Sequence, residues 1–257
     1  MNSIIELKNP DIVQLGVEAI VDFYRTMAID QLPFSGMSAF ATGVDSSSLN
    51  VLLDYKDQDE FKNEDIAAIQ NFFKTYQVPW GWFKTAVSKT THIESHGFHL
   101  SYEMPGMYFD LSKKLPDFAI DVQISEMHGD LKKWIEPLQE GFPSSDNCEG
   151  YRKLNAKLLL EGEKKLRHFT AFRENEAASS GTLFISDRSV MLHNLATKNK
   201  FRQCGMGSAL TLYMMNEAKK AGYTHCYLDS SDEGFNLYKR LGWQVYCSTS
   251  VYELSAT

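Results

Sequence analysis

The stretch Leu195-Ala196-Thr197-Lys198-Asn199-Lys200-Phe201-Arg202-Gln203-Cys204-Gly205-Met206-Gly207-Ser208 constrains the fold more than any other part of the chain. A strand pattern over Val190–Thr197 runs into a loop with two glycines. The loop opens directly into a helix pattern, Gly207–Ala221, with Leu210, Tyr213, Met214 and Ala218 on one face. Glycine lets a backbone adopt positive φ and come close to a ligand. The first N–H groups of the helix and its dipole then favour an anion, typically a phosphate. Lys198, Lys200 and Arg202 add positive charge beside it. That matters more in this chain, whose 26 Lys and Arg against 33 Asp and Glu leave a net charge of −7.

The two common nucleotide motifs do not fit this loop. The dinucleotide fingerprint needs a small residue where Leu210 stands, and the P-loop needs a Lys-Ser/Thr pair where Ser208-Ala209 stands. What fits is R-x-x-G-x-G, formed by Arg202, Gly205 and Gly207. It resembles the pyrophosphate-binding motif of the GNAT superfamily, the acyl-CoA-dependent N-acyltransferases. A second segment about thirty residues on, Leu228-Asp229-Ser230-Ser231 through Leu237-Tyr238-Lys239-Arg240-Leu241-Gly242-Trp243, is similar to that family's strand and short helix ending in L-Y-x-x-L-G-F/W. The resemblance covers about 119–257. It implies an α+β fold with a mixed, mostly antiparallel sheet flanked by helices.

The element pattern of the second half agrees. It reads as strand 119–124, helices near 131–138 and 150–160, strands 166–173, 181–187 and 190–197, helix 207–221, strand 224–228, helix 234–241 and a last β region 243–254. In the first half, 12–27 and 64–76 read as helices. Strands are expected at 98–103 and 108–111, broken by the turn signal Met104-Pro105-Gly106. Pro116-Asp117 marks the boundary, giving halves 1–118 and 119–257. The first half looks similar to a degenerate copy of the same fold without any R-x-x-G-x-G segment. It is expected to buttress the second, with Trp80, Trp82 and Phe83 as core aromatics or a wall of the acceptor site.

The resemblance also implies roles. Leu195 and Thr197 offer backbone groups to the pantetheine arm of acetyl-CoA, the co-substrate. Arg202, Gln203, Cys204, Gly205, Met206, Gly207 and Ser208 hold its pyrophosphate, and Ser231 stands where relatives touch the arm. Tyr238 serves as general acid toward the departing thiolate, against a plain packing role. Where many relatives carry an acidic base this chain has Met191, which leaves the base open among His193, Glu126 and Asp229. The acceptor is an amine, on a small molecule or a peptide. Direct attack in a ternary complex is expected because no Cys/His nucleophile pair stands out. The alternative is a sensor that binds acyl-CoA without catalysis.

Charge and composition set further expectations. Residues 1–118 hold nine basic and sixteen acidic side chains, thickest from Asp54 through Asp57, Asp59, Glu60 and Glu64 to Asp65, while 119–257 is neutral. The acidic run reads as a solvated helix end, or as a lip attracting a cationic substrate. An acidic chain is not expected to bind nucleic acid. The start Met1-Asn2-Ser3-Ile4-Ile5-Glu6 has no leader pattern, and no run is long enough to span a membrane. Cys148, Cys204, Cys226 and Cys247 show no C-x-x-C spacing. A reduced cytoplasmic protein without a metal site is expected.

Overall fold

The computed structural model describes residues 10–56, 63–90, 93–117, 122–142 and 148–254. Asp57, Asp59 and Glu60 of the acidic run, and residues 119–121 of the strand expected at 119–124, lie outside them. In chain order the elements are α1 (Pro10–Met27), β1 (Asp30–Phe34), β2 (Met37–Ala41), β3 (Val51–Asp54), α2 (Asn63–Tyr76), β4 (Gly81–Lys84) and β5 (Phe98–Asp110). Next come β6 (Gln123–Met127), α3 (Lys132–Gly141), α4 (Cys148–Leu160), β7 (Leu166–Arg173), β8 (Glu176–Ile185) and β9 (Val190–Thr197). The last are α5 (Met206–Lys220), β10 (His225–Asp229), α6 (Asp232–Arg240) and β11 (Gln244–Leu254). No helix among them is long and apolar enough to cross a membrane.

The chain divides into two compact units. The first runs as far as Gly106 and takes in the residues from Tyr246 on; the second is Met107–Val245. The chain therefore passes from one to the other inside β5 and returns inside β11.

In the first unit, α1 buries Val13, Val17, Ile20, Tyr24 and Met27, a stripe at helical spacing. β1, β2 and β3 are antiparallel, β4 joins β3 in parallel, and β11 closes antiparallel on β4. The core gathers Met37, Leu52, Ile69, Phe73, Trp80 and Trp82, with Trp80 stacked on Phe73 at 4.8 Å. Trp80, Trp82 and Phe83 are all buried, so they are core aromatics.

The sequence reading of this half misses two strands and misplaces a turn, for identifiable reasons. The strands β2 and β3 were not legible because every residue in them is buried, which erases the alternation that marks a half-exposed strand. The turn at Met104-Pro105-Gly106 does not exist, since β5 runs through it unbroken. Gly106 is small because of a close neighbour rather than a bend: a Cβ there would collide with Cys247 Sγ.

In the second unit β6, β7, β8 and β9 form an antiparallel run, and β10 pairs with β9 in parallel. One face packs Phe169, Leu183, Val190, Leu192, Cys226 and Leu228 against Leu210 and Met214 of α5. On the other face, His168 Nδ1 lies 2.9 Å from Thr182 Oγ1, and the Trp134 indole of α3 donates to Gly181 O at 3.3 Å. Strand β8 starts five residues before the expected Gly181, because Ala177-Ala178-Ser179-Ser180 are small residues without strand propensity that burial nevertheless recruits.

Candidate active site

The site grows from a defect in β9. Its register with β8 jumps from Thr182–His193 to Ser180–Ala196, so Asn194 and Leu195 together oppose Gly181. This is a β-bulge, which bends the strand and re-aims the residues beyond it. Asn194 takes φ 56°, a left-handed conformation that Asn tolerates better than most residues. Its Nδ2 donates to the Tyr151 hydroxyl of α4 at 2.7 Å, and burial pushes that phenol up to about 12. On its other edge, β9 is registered with β10 only at Val190–Cys226 and Met191–Tyr227, the start of each strand.

Beyond the bulge, Leu195 packs against the α5 core and Thr197 Oγ1 lies 3.0 Å from Ser179 Oγ. A single 3₁₀ turn, Asn199–Phe201, buries Phe201 and leads into the glycine loop. Gln203 (φ 58°) and Gly205 (φ 78°) both turn left-handed. The first helical bond of α5 runs from Ala209 N–H to Gly205 O at 2.9 Å, so the amides of Met206, Gly207 and Ser208 have no acceptor within the helix. No acidic residue occupies its first turn. Free amides at the positive end of a fifteen-residue helix are the groups an anion site requires.

Gly207 has a packing role as well, since a Cβ there would sit 3.2 Å from Leu237 Cδ1 and 3.3 Å from Thr197 Oγ1. The start of α5 thus lies close against both the end of β9 and α6. The backbone of Leu195, Thr197 and 202–208 is gathered there, although the Met206 side chain points into the core. Cys204 is exposed. Ser231 Oγ caps α6, accepting from Gly234 N–H at 3.2 Å. Tyr238 is buried, edge-on to Trp243 at 5.9 Å, and burial holds its phenol well above its ordinary value.

The cationic cluster is smaller than the sequence suggests. Lys198 is nearly buried and bound to Glu136 (3.0 Å) and Glu176 (3.1 Å), and Lys200 is paired with Glu176. Of the three, only Arg202 stays at the loop mouth, with Nε donating to Thr197 O at 3.3 Å and a guanidinium nitrogen 3.4 Å from the exposed Glu233.

The three expected base candidates also separate. Glu126 accepts from Arg167 Nε (3.0 Å) and Nη2 (2.7 Å), and the same guanidinium reaches Glu217 at 3.1 Å. Burial lowers His193 to about 3. Asp229, the last residue of β10, is raised by burial to about 7. Sequence reasoning missed Asn194 and Tyr151; an Asn in the middle of a strand, a residue that favours turns, was the available signal for the bulge. Among the described residues, no group of three or more His, Cys, Asp or Glu is assembled that could hold a metal ion.

The acetyltransferase (GNAT) family model matches residues 131–243, which contain the bulge, the loop, α5 and Tyr238. No curated protein matches the chain. Among solved structures, the fold is similar to a GCN5-related N-acetyltransferase from Kribbella flavida, with a TM-score of 0.72 at 12% identity and 96% of each chain covered. It is also similar to a GCN5-related N-acetyltransferase from Sphaerobacter thermophilus, with a TM-score of 0.60 at 13% identity over 86% of this chain and 78% of that one. A third is a putative GNAT-family acetyltransferase from Novosphingobium aromaticivorans, with a TM-score of 0.59 at 9% identity over 94% and 97%. The assembled loop and α6 thus lie within residues 131–243, the part of the chain that carries the acetyltransferase (GNAT) family domain.

Proposed function

We propose that the second unit transfers an acetyl group from acetyl-CoA to a primary amine by direct attack. The observation that carries this reading is the bent end of β9 leading into the unfilled amides of α5. An elongated thioester with a pyrophosphate at one end matches that shape and charge. The amides of 206–208, with the turned backbone of Gln203 and Gly205, would take the pyrophosphate, and Arg202 would add charge at the mouth. The backbone at Leu195 and Thr197 would flank the pantetheine arm. An N–H there, aimed at the thioester oxygen, would stabilise the oxyanion.

Tyr238 fits the acid role. A phenol kept above its ordinary value by burial is protonated throughout the working range and can donate to a thiolate as it forms. The acceptor is an amine on a small molecule or peptide. We also infer that the halves 1–118 and 119–257 are two copies of one plan. Antiparallel β1–β2–β3, helix α2 and parallel β4 follow the same order as β7–β8–β9, α5 and β10.

Thermal unfolding with acetyl-CoA, beside NAD and ATP, tests the reading. Ligand at about 100 times its Kd should add about 2.7 kcal/mol. The shift should be specific to acetyl-CoA and absent in Gly205→Trp, each variant being compared with its own ligand-free melt. Wild type showing no shift at saturating acetyl-CoA would overturn the reading. A shift without thiol release toward any primary amine would instead favour a sensor.

A further inference from the structure

Alternate side chains along a strand take opposite faces. On β10, Cys226 and Leu228 enter the α5 core, so His225, Tyr227 and Asp229 occupy the other face. On β9, Val190 and Leu192 enter the same core, which leaves Met191 and His193 on the face of Asp229. The last registered pair is Met191–Tyr227. Two residues further along each strand, where the bulge turns β9 aside, stand His193 and Asp229. Tyr238 belongs to the opposite, core side. β10 therefore has a phenol on its core face, beside Cys226, and a carboxylate at its end on the other face.

From this geometry we propose that Asp229 accepts the proton that the attacking amine gives up, an assignment that rests on the acyl-transfer reading above. Both oxygens of Glu126 accept from the Arg167 guanidinium, so its charge is already paired. His193, held neutral by burial with a value of about 3, is too weak a base to take an ammonium proton near neutrality. Asp229 is half-buried, and its Oδ1 is inaccessible with no hydrogen-bond partner. The titratable groups around it are His193 on β9, His225 and Tyr227 on β10, Tyr108 of β5 with its ring 6.5 Å from that of Tyr227, and Asp232 and Glu233 at the start of α6. None of them shifts its carboxyl, which burial alone raises to about 7, a value matched to base catalysis near neutral pH.

The step balances. The neutral amine's lone pair forms the C–N bond at the thioester carbonyl carbon, and an N–H proton passes to Asp229. The C–S electron pair leaves on sulfur, which takes the proton of Tyr238. Asp229 then releases its proton to water, and the Tyr238 phenolate regains one from water, leaving an amide and a free thiol.

The test combines a titration with a rate profile. In ¹³C NMR of Asp-labelled protein, the carboxyl signal lost in Asp229→Asn should titrate near pH 7. With phenethylamine as the probe acceptor, log(kcat/KM) should rise with slope two below that midpoint and slope one above it. The amine supplies one deprotonation and Asp229 the other. Asp229→Asn should lower kcat about 100-fold and leave slope one throughout, while Asp229→Glu recovers part of the rate. Its stabilisation by acetyl-CoA should be unchanged. A titration midpoint near 4, the ordinary aspartate value, overturns the proposal whether or not phenethylamine is turned over. So does an Asp229→Asn profile that keeps slope two. Loss of acetyl-CoA stabilisation in wild type overturns the acyl-transfer reading instead.

Discussion

The chain contains two parallel strand pairs, each with a helix between its strands, and they end differently. In the first unit β3 and β4 are registered along their whole length, from Val51–Gly81 to Asp54–Lys84. In the second, β9 and β10 are registered for two residues only, and β9 then kinks at Asn194. The helices differ in the same sense. α2 begins with Glu64 and Asp65 in its first turn, so its dipole is already met by its own carboxylates. α5 begins with Gly205 and no acid. Between β4 and β5 the described residues form a single 3₁₀ turn, Ile93–His96, where the second unit has α6 and Tyr238. The proposed ligand cleft asks for a parallel pair prevented from zipping closed and a connecting helix left with an uncompensated N-terminus. One unit meets both conditions and the other meets neither.

The sharpest way to break this comparison is through the group that the first unit lacks. Tyr238→Phe should lower kcat about 100-fold or more, the usual worth of a positioned acid, while the acetyl-CoA melting shift stays intact. Since burial raises the Tyr238 phenol, wild-type kcat should show no basic limb up to pH 9. A basic limb below that pH, or unchanged turnover in the variant, would take the acid role away from Tyr238. Binding measured by calorimetry should also give one acetyl-CoA per chain. Two would mean that the zipped pair opens after all.

The turn of the glycine loop was legible from the sequence because chemistry fixes it locally. Gly205 and Gly207 mark a left-handed cap and a close approach, and a side chain would strain either one. The periodic helices were legible too, since a stripe such as Val13, Val17, Ile20, Tyr24 and Met27 carries its own spacing. What stayed hidden depends on partners distant in the chain. Lys198 and Lys200 read as free cations until Glu136 and Glu176 are folded against them. Strands β2 and β3 look featureless until both faces are covered. Asp229 and Glu126 are equal as letters. They part only when Arg167 lies across one and burial leaves an oxygen of the other without a partner.

The zipped pair makes a prediction of its own. Asp54 ends β3 with no exposed surface. Burial raises its carboxyl even though Ser88, Thr90, Trp82 and Lys84 pull it down. A carboxyl raised in the folded state binds its proton more tightly there than in the unfolded chain. Its stability contribution is therefore present below the unfolded value and declines as pH rises through the folded one. Asp54→Asn, neutral at every pH, should raise stability at pH 8 and change little at pH 4. Urea melts at the two pH values read the difference directly. Equal effects at both would mean that Asp54 is ionised in place, with the surrounding donors outweighing burial.

The smallest expected effect separates the cations of the loop. Arg202 stands at the mouth and its carboxylate partner, Glu233, is itself largely exposed, so Arg202→Ala should cost the fold less than about 1 kcal/mol. It should nonetheless weaken acetyl-CoA binding several-fold, and that loss should shrink as salt screens the phosphates. Lys200→Ala should leave binding unchanged at any salt, because its charge is already spent on Glu176. If the two variants weaken binding equally, the ion pair at Glu176 opens when the coenzyme arrives. The positive field of the second unit would then be a property of its bound state rather than of its resting fold.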